Sequence, residues 1–386
     1  FLRIVIFLMI VFSLILEREH IKNAYVSIRK HYPEVELVIL DDGSTDETRR
    51  WLEDLDDSNV LKYRSQERVG HTILYDIGIE MASNEVVGIL HADMVLGPNY
   101  IKNVLKHLKR GKVVCATRIE PPLHPEGKEK IIKDFGLDFD DLNIEAFEEF
   151  VLEAQNEYKD QTTRGMFAPW VIYKDDFQAI GGHDPGFAPF PYEDSDIFQR
   201  WILAGYELIQ SRDSFVYHLT CRGHRWTGEV GKDDDYFKAA SYKAGRNYLR
   251  KWGSWIKNDD YQHPAIVPKY DIGISVENCT AQLLQLLEPW STTIYIDTPF
   301  EEYIVQESTI TSYNLPGRVR PYGNKKENEI IVDIDGNNFQ QSDFQLLQQL
   351  PQIIKDNGEV GEFTLGNLQI KIIKMNEYQD TLINIS

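Results

Sequence analysis

The stretch Val86-Val-Gly-Ile-Leu-His-Ala-Asp-Met94 constrains this chain most, because it is an apolar run too short for a stand-alone helix that stops abruptly at His91 and Asp93. A run of that length reads as a buried parallel strand. Its carboxylate then lies at the strand's carboxyl end, where open α/β sheets bind their ligands. Glu36-Leu-Val-Ile-Leu-Asp-Asp-Gly-Ser-Thr-Asp-Glu-Thr48 repeats the pattern, an apolar strand running into Asp41 and Asp42 and then a turn. Acids gathered at one edge repel each other unless a cation or a hydrogen-bonding ligand compensates them, and a divalent metal carrying a phosphorylated substrate does so directly. The same residues are also good turn formers and helix caps, so each taken alone has a purely structural reading.

The surrounding chain keeps one rhythm. Phe1 to Leu16 is apolar apart from Arg3 and Ser13 and falls short of the roughly 20 apolar residues of a spanning helix. The helical pattern from Glu17 to Lys30 leads straight from it to the strand at Glu36, so the segment reads as a first strand and not as a signal or anchor. Glu47 to Leu55 is then a helix, Val60 to Tyr63 a strand, and Gly70 to Met81 a helix leading to the strand at Val86. Pro98 to Leu108 is a helix opened by proline, and Lys112 to Thr117 a strand. Such alternation predicts an α/β fold, a mostly parallel sheet with helices on both faces. Asp134 to Asp160 is an acidic, helical insertion whose Phe147, Phe150, Val151 and Leu152 dock on a surface.

Charge and cysteine usage narrow the function. With 41 Lys plus Arg against 61 Asp plus Glu, the net charge of −20 makes the chain a poor partner for a nucleic-acid backbone. Cys115, Cys221 and Cys279 are few and widely spaced, which argues against a disulfide framework or zinc cluster and for a reducing, cytoplasmic setting.

Polar residues with chemical potential recur downstream. Gly165-Met-Phe-Ala-Pro-Trp-Val-Ile-Tyr173 and Gly181-Gly-His-Asp-Pro-Gly-Phe187 read as tight loops near a site. Pro191-Tyr-Glu-Asp-Ser-Asp-Ile-Phe-Gln-Arg-Trp201 sets Glu193, Asp194 and Asp196 at a helix start. A helix N-terminus lowers carboxylate pKa values, so these acids serve either as caps or as an ionised base. Ser214 to His218 is a short strand ending in an imidazole, followed by a loop whose Arg222, His224 and Arg225 can reach a diphosphate. Trp170, Trp201 and Trp226 suit either core packing or stacking on sugar faces, and packing is the better reading of each.

Together, Asp41-Asp-Gly-Ser-Thr-Asp46, His91-Ala-Asp93, Gly181-Gly-His-Asp184, Glu193-Asp-Ser-Asp196 with Arg200, His218 and Lys251-Trp-Gly253 resemble a family-2 glycosyltransferase with the GT-A fold, over residues 1 to 255. The resemblance implies that Asp41 and Asp42 contact the base and ribose of a nucleotide-diphospho-sugar, UDP-sugars first among them. It gives Asp93 and His218 to Mn²⁺ or Mg²⁺ against the diphosphate, with His91 and Arg222 on the donor. Asp194 becomes the catalytic base, and Glu193 helps to orient a glycan, glycoprotein or glycolipid acceptor. Single displacement with inversion is the implied mechanism. Two features depart from the pattern: Val11-Phe-Ser-Leu replaces a Pro-Thr-Tyr-Asn-like loop, and Asp76 stands where Asn or Arg is common.

The transferase domain is expected over 1–257 and a small C-terminal α/β domain over 258–386. In the latter, strands are expected at Tyr270–Ser275, Thr293–Asp297, Glu329–Asp335, near Phe363 and at Leu368–Ile373, with helices at Ala281–Leu287 and Ser342–Lys355. Asp333 and Asp335 mimic a metal pair but read better as a strand ending in an Asp-Gly turn. No glycine-rich phosphate loop follows these strands, so docking, homo-oligomerisation or acceptor presentation is the expected role. Two rival readings of the whole chain are a non-catalytic binding or structural protein that keeps the fold, and a sugar nucleotidyltransferase. The latter would need a Gly-rich basic loop that Val11 to Leu16 does not provide.

Overall fold

The computed structural model describes residues 6–12, 18–138, 140–220, 225–226 and 231–383, with backbone alone for 6–12 and 18–20. They form two compact units, one reaching to Ser241 and including Asn258–Pro264, the other comprising Tyr242–Lys257 and Ala265–Ile383.

The first unit is built on β1 (Ile6–Phe12), β2 (Glu36–Asp41), β3 (Val60–Arg64), β4 (Val86–His91), β5 (Met94–Leu96), β6 (Lys112–Glu120), β7 (Lys130–Ile132), β8 (Thr162–Thr163), β9 (Trp170–Tyr173) and β10 (Glu207–His218). The order is β3-β2-β1-β4-β9-β6-β10-β5, with β7 beside β6 and β8 beside β10. Only β5, β8 and β9 run against the others, so the sheet is mostly parallel, as the alternation of apolar runs and helical patterns predicts. One consequence governs the chemistry. The parallel strands β3, β2, β4, β6 and β10 end at Arg64, Asp41, His91, Glu120 and His218, all on the carboxyl edge. Phe12 of β1 pairs with Asp41, and Val11 with His91. Asp93 sits just before β5, whose Met94 pairs with His218.

Side chains alternate along β10, and both sheet faces are covered. Val216 packs into the main core, whereas Phe215 and Tyr217 join a second cluster with Phe147, Val151 and Ala154 of the helix Ile144–Glu157. That helix is the docked part of the acidic insertion; its Leu152 stays half exposed. Among the described residues no helix is long and apolar enough to cross a membrane.

Two elements differ from the sequence reading. Trp170–Tyr173 is a strand and not part of a loop, inserted antiparallel between β4 and β6 with Trp170, Val171 and Ile172 fully buried. The flanking glycine and proline belong to its approach. The strand expected at Ser214 begins already at Glu207, disguised by the polar run Gln210-Ser-Arg-Asp213 and by a register shift between Gln210 and Phe215.

The second unit holds β11 (Ile272–Glu277), β12 (Thr293–Ile296), β13 (Val319–Pro321), β14 (Ile330–Asp335), β15 (Gly361–Leu365) and β16 (Leu368–Ile372). They lie in the order β13-β12-β11-β14-β16-β15, the first four parallel and the last two antiparallel. The helices Ala281–Leu287 and Gln341–Asn357 pack Leu284, Leu287, Leu347, Leu350 and Ile354 onto its apolar core. Asp335 accepts from the Asn337 backbone and from the Asn278 and Asn338 amides, which is the turn role the Asp-Gly pattern suggested.

Glu288 is fully buried among Arg250, Arg318 and the Tyr303 hydroxyl, at 2.6 Å, 2.7 Å and 2.9 Å. Burial alone would raise its pKa, but the two guanidiniums hold it at about 2. A carboxylate depressed in this way stabilises above its unfolded pKa, and the stabilisation is lost as pH falls through the folded one. Urea unfolding at stepped pH is expected to show a contribution of roughly 3 kcal/mol, intact above pH 4.5 and fading toward pH 2. Glu288→Gln should flatten that slope, and an unchanged slope would refute the assignment.

Candidate active site

The carboxyl edge of the first sheet gathers three groups able to hold a cation. One ligand atom on each of His91, Asp93 and His218 lies within 4.8 Å of the others. His218 Nε2 stands 3.6 Å from Asp93 Oδ2. The Nδ1–H of His218 donates to Glu120 Oε1 at 3.0 Å, which turns Nε2 toward the cluster. Glu120 is held in turn by Arg118 at 2.7 Å and Lys130 at 2.9 Å. Burial alone would lower the His218 pKa, but Asp93 and Glu120 raise it to about 9. Burial would likewise raise Glu120, yet Arg118, His218 and Lys130 keep it well below the usual carboxylate range. Two imidazoles with one carboxylate suit Mn²⁺ better than Mg²⁺, which prefers oxygen ligands alone. The motif resemblance gives His91 to the donor; its ring lies within this cluster.

Glu193 and Asp194 open the helix Glu193–Leu203. His71, at the start of the helix His71–Met81, lies 2.7 Å from Glu193 Oε1 through Nε2. Burial, aided by His183 and Arg68, lowers His71 to about 3, so the ring is neutral and donates. Asp194 runs opposite to the helix-dipole expectation, because burial and the adjacent Glu193 charge lift its pKa to about 7. Its Oδ1 is inaccessible and has no hydrogen-bond partner among the described residues. Ring contacts link this acid pair to the cation cluster, with His71 stacked on His91 at 6.3 Å and His91 edge to face with His218 at 6.4 Å. Tyr75 packs 5.3 Å from His71 and 6.1 Å from His91. Its hydroxyl is raised first by burial and then by Asp194, Glu193 and Asp93 together.

Two glycines permit the close packing. Gly70 has φ +88°, and a Cβ there would fall 2.2 Å from Pro189, so the loop before Glu193 lies directly on the start of the His71 helix. Gly182 has φ +67°, and its Cβ would meet Asp76 at 2.2 Å. Asp76 accepts from His183 N at 3.0 Å and meets its Nδ1 at 2.7 Å. Arg200, paired with Asp196 at 2.7 Å, donates to the carbonyls of Ile180 and Gly182 at 3.0 Å and 2.6 Å. Asp76, Asp196 and Arg200 thus hold the Gly181-Gly182 loop.

Asp41 and Asp42 are fully buried on the same edge. Ser44 N and Arg64 Nε donate to Asp41 at 2.8 Å and 2.9 Å. Val69 N and Gly70 N donate to Asp42 at 2.7 Å and 3.0 Å, with Arg68 at 3.7 Å. Burial raises Asp42 to about 6 against these partners. Both acids are therefore spent on the loops that follow β2 and β3. Arg222 and His224 lie outside the described residues. Trp170 and Trp201 pack edge to face at 5.0 Å in the core, and Trp226 stacks on His124 at 5.3 Å.

His71, Tyr75, Arg118 and Glu120 escaped the sequence reading. A period-two signal was available for Arg118 and Glu120, since the strand from Lys112 places both on one face at its carboxyl end. His71 carried no such signal; only the fold brings it to Glu193.

Residues 10–167 match the family model described as Glycosyl transferase family 2, which bears out the resemblance carried by the motifs. Validoxylamine A glucosyltransferases from two subspecies of Streptomyces hygroscopicus, jinggangensis and limoneus, are each 26% identical over 207 residues and 47% of this chain. The match covers 47% and 44% of those proteins, so the chain spans about half the length of the curated relatives it matches. Among solved structures, GalNAc-T7 with UDP, GalNAc and Mn²⁺ gives a TM-score of 0.43 at 16% identity, over 62% of this chain and 50% of that one. The mannosyltransferase PcManGT from Pyrobaculum calidifontis, in complex with GDP-Man and Mn²⁺, gives 0.40 at 18%, over 64% and 70%.

Calorimetric titration with Mn²⁺ tests the cluster. Asp93→Ala is expected to remove measurable binding, and Glu120→Gln to weaken it by about 10- to 100-fold through loss of the His218 orientation. Unchanged affinity in both variants would separate these residues from metal binding.

Proposed function

We propose that the first unit is an inverting, metal-assisted glycosyltransferase that moves a sugar from a nucleotide-diphospho-sugar to an acceptor hydroxyl. The observation that carries the proposal is Asp194 Oδ1, without a hydrogen-bond partner among the described residues, on a helix start that His71 and the His91 ring join to the cluster of His91, Asp93 and His218. An unpaired buried carboxylate oxygen costs free energy that a hydroxyl donor would offset. The family match over residues 10–167 and the two glucosyltransferase relatives support glycosyl transfer.

In this reading Asp194 accepts the proton of an acceptor hydroxyl. The oxygen forms its bond to the anomeric carbon from the face opposite the diphosphate, whose bond to that carbon breaks with inversion. His71 holds Glu193 beside the acceptor. The loops shaped by Asp41 and Asp42 form the floor for the nucleoside. Mn²⁺, held by Asp93 and His218 with His91, would supply charge neutralisation for the departing diphosphate. UDP-sugars are the first donors to try, with a glycan, glycoprotein or glycolipid acceptor.

Thermal stabilisation by a panel of UDP-, GDP- and dTDP-sugars with Mn²⁺ identifies the donor. With that donor, Asp194→Asn should keep binding and lose transfer by at least about 100-fold. Because the base must be ionised, kcat of the parent is expected to rise with pH up to about 7 and then level off. Equal transfer by Asp194→Asn and the parent would remove the proposed base.

A further inference from the structure

The second unit carries a groove of about 620 Å³ that none of the chemistry above uses. Rings of Tyr242, Trp255, Trp290 and Phe344 line it, together with the amide side chains of Gln282 and Gln348. Its size falls within the roughly 300–1,000 Å³ of small-molecule sites. Trp255 and Tyr242 leave 45% and 47% of their surface in water, while Trp290 is buried and braced edge to face by Phe344 at 5.7 Å. Large planar faces thus stand in solvent on a firm base.

The polar groups say what such faces would meet. Among the described residues Arg246 is the only cation in the lining, and its guanidinium is consumed by Glu307, the Gln285 carbonyl and the Tyr303 hydroxyl, the last two at 2.7 Å each. No carboxylate lines the groove among the described residues. Gln282 and Gln348 make no side-chain hydrogen bond among the described residues, so each offers an amide donor and an amide acceptor. Gln285 is spent on the Tyr242 hydroxyl at 2.7 Å, which fixes that ring. An uncharged ligand with apolar C–H faces to stack on the rings and hydroxyls to pair with amides fits this lining. A phosphate or an acidic sugar would find no unspent cation there, on a chain whose net charge is already −20.

We infer that this groove binds a neutral oligosaccharide, stacked on Trp255 and Tyr242 and hydrogen-bonded by Gln282 and Gln348. That the bound chain serves as acceptor rests on the transferase reading above; the binding itself does not.

The test uses the full chain and four neutral tetrasaccharides as probes: maltotetraose, cellotetraose, chitotetraose and mannotetraose. Calorimetry should detect binding of at least one. Trp255→Ala should weaken it about tenfold, Gln348→Ala should weaken it less, and Asp93→Ala should leave it intact. Trp255 and Gln348 are not core residues, so unchanged melting curves would confirm that both variants fold. Absence of binding by all four probes up to about 10 mM, or affinity indifferent to Trp255→Ala, would overturn the inference. A parent dimer that Trp255→Ala dissolves, or tetragalacturonate binding as tightly as the neutral probes, would overturn it as well. Tetrasaccharide binding without any sugar transfer would sink the transferase reading alone, and transfer without binding would sink the groove alone.

Discussion

Carboxylates brought to one edge of a parallel sheet repel one another, and the first unit is arranged around the groups that offset this repulsion. Asp41 takes Arg64 and the Ser44 amide; Asp42 takes two backbone amides with Arg68 close by. Glu120 takes Lys130 on Oε2 and shares Oε1 between Arg118 and His218. A buried charge left without such partners costs several kcal/mol. Counting partners therefore separates acids that build the edge from acids kept for a ligand. Asp194 belongs to the second kind: its buried Oδ1 has no hydrogen-bond partner among the described residues.

The contrast between Glu193 and Asp194 follows from their surroundings, since they are adjacent on one helical turn. Glu193 has a donor in His71, but a His71 lowered to about 3 gives a hydrogen bond without a positive charge. The Glu193 charge is thus left to act on its neighbour, and together with burial it lifts Asp194 to about 7. A carboxyl whose pKa is lifted by burial and by a neighbouring acid is a common feature of sites that move a proton. The helix dipole, which favours ionised acids here, is worth only ~0.3–1 kcal/mol near a surface, too little to outweigh that burial.

The sequence showed most plainly what has a period. Apolar runs closing on Asp41 and on His91 and Asp93 marked β2 and β4 and the edge they share. The expectation of a mostly parallel sheet followed from strand and helix alternating. Trp170–Tyr173 was hidden because its glycine and proline neighbours look like loop, while its burial on both faces is a property of the assembled sheet. The first half of β10 was hidden by four polar residues that the bulged pairing to β6 tolerates. His71 and Glu193 lie 122 residues apart, and no local pattern announces a hydrogen bond across that distance. Asp76, a departure from the family pattern, acquires its meaning only from the Gly182 backbone packed against it.

The second unit shows why acids at strand ends are not sufficient for a site. Its β11 and β14 also end in carboxylates, at the parallel edge where ligands usually bind. Asp335, however, is spent on the Asn337 amide and two asparagine side chains, and Asp297, just after β12, accepts from Asn278 N and Cys279 N. Those bonds close the loops and hold both pKa values down, so a cation would have to displace them. Here the uncommitted polar groups are neutral amides, set beside exposed aromatic rings in a lining without strand residues. What a surface of this chain can bind is set less by which residues it carries than by which of them the fold has left without an internal partner.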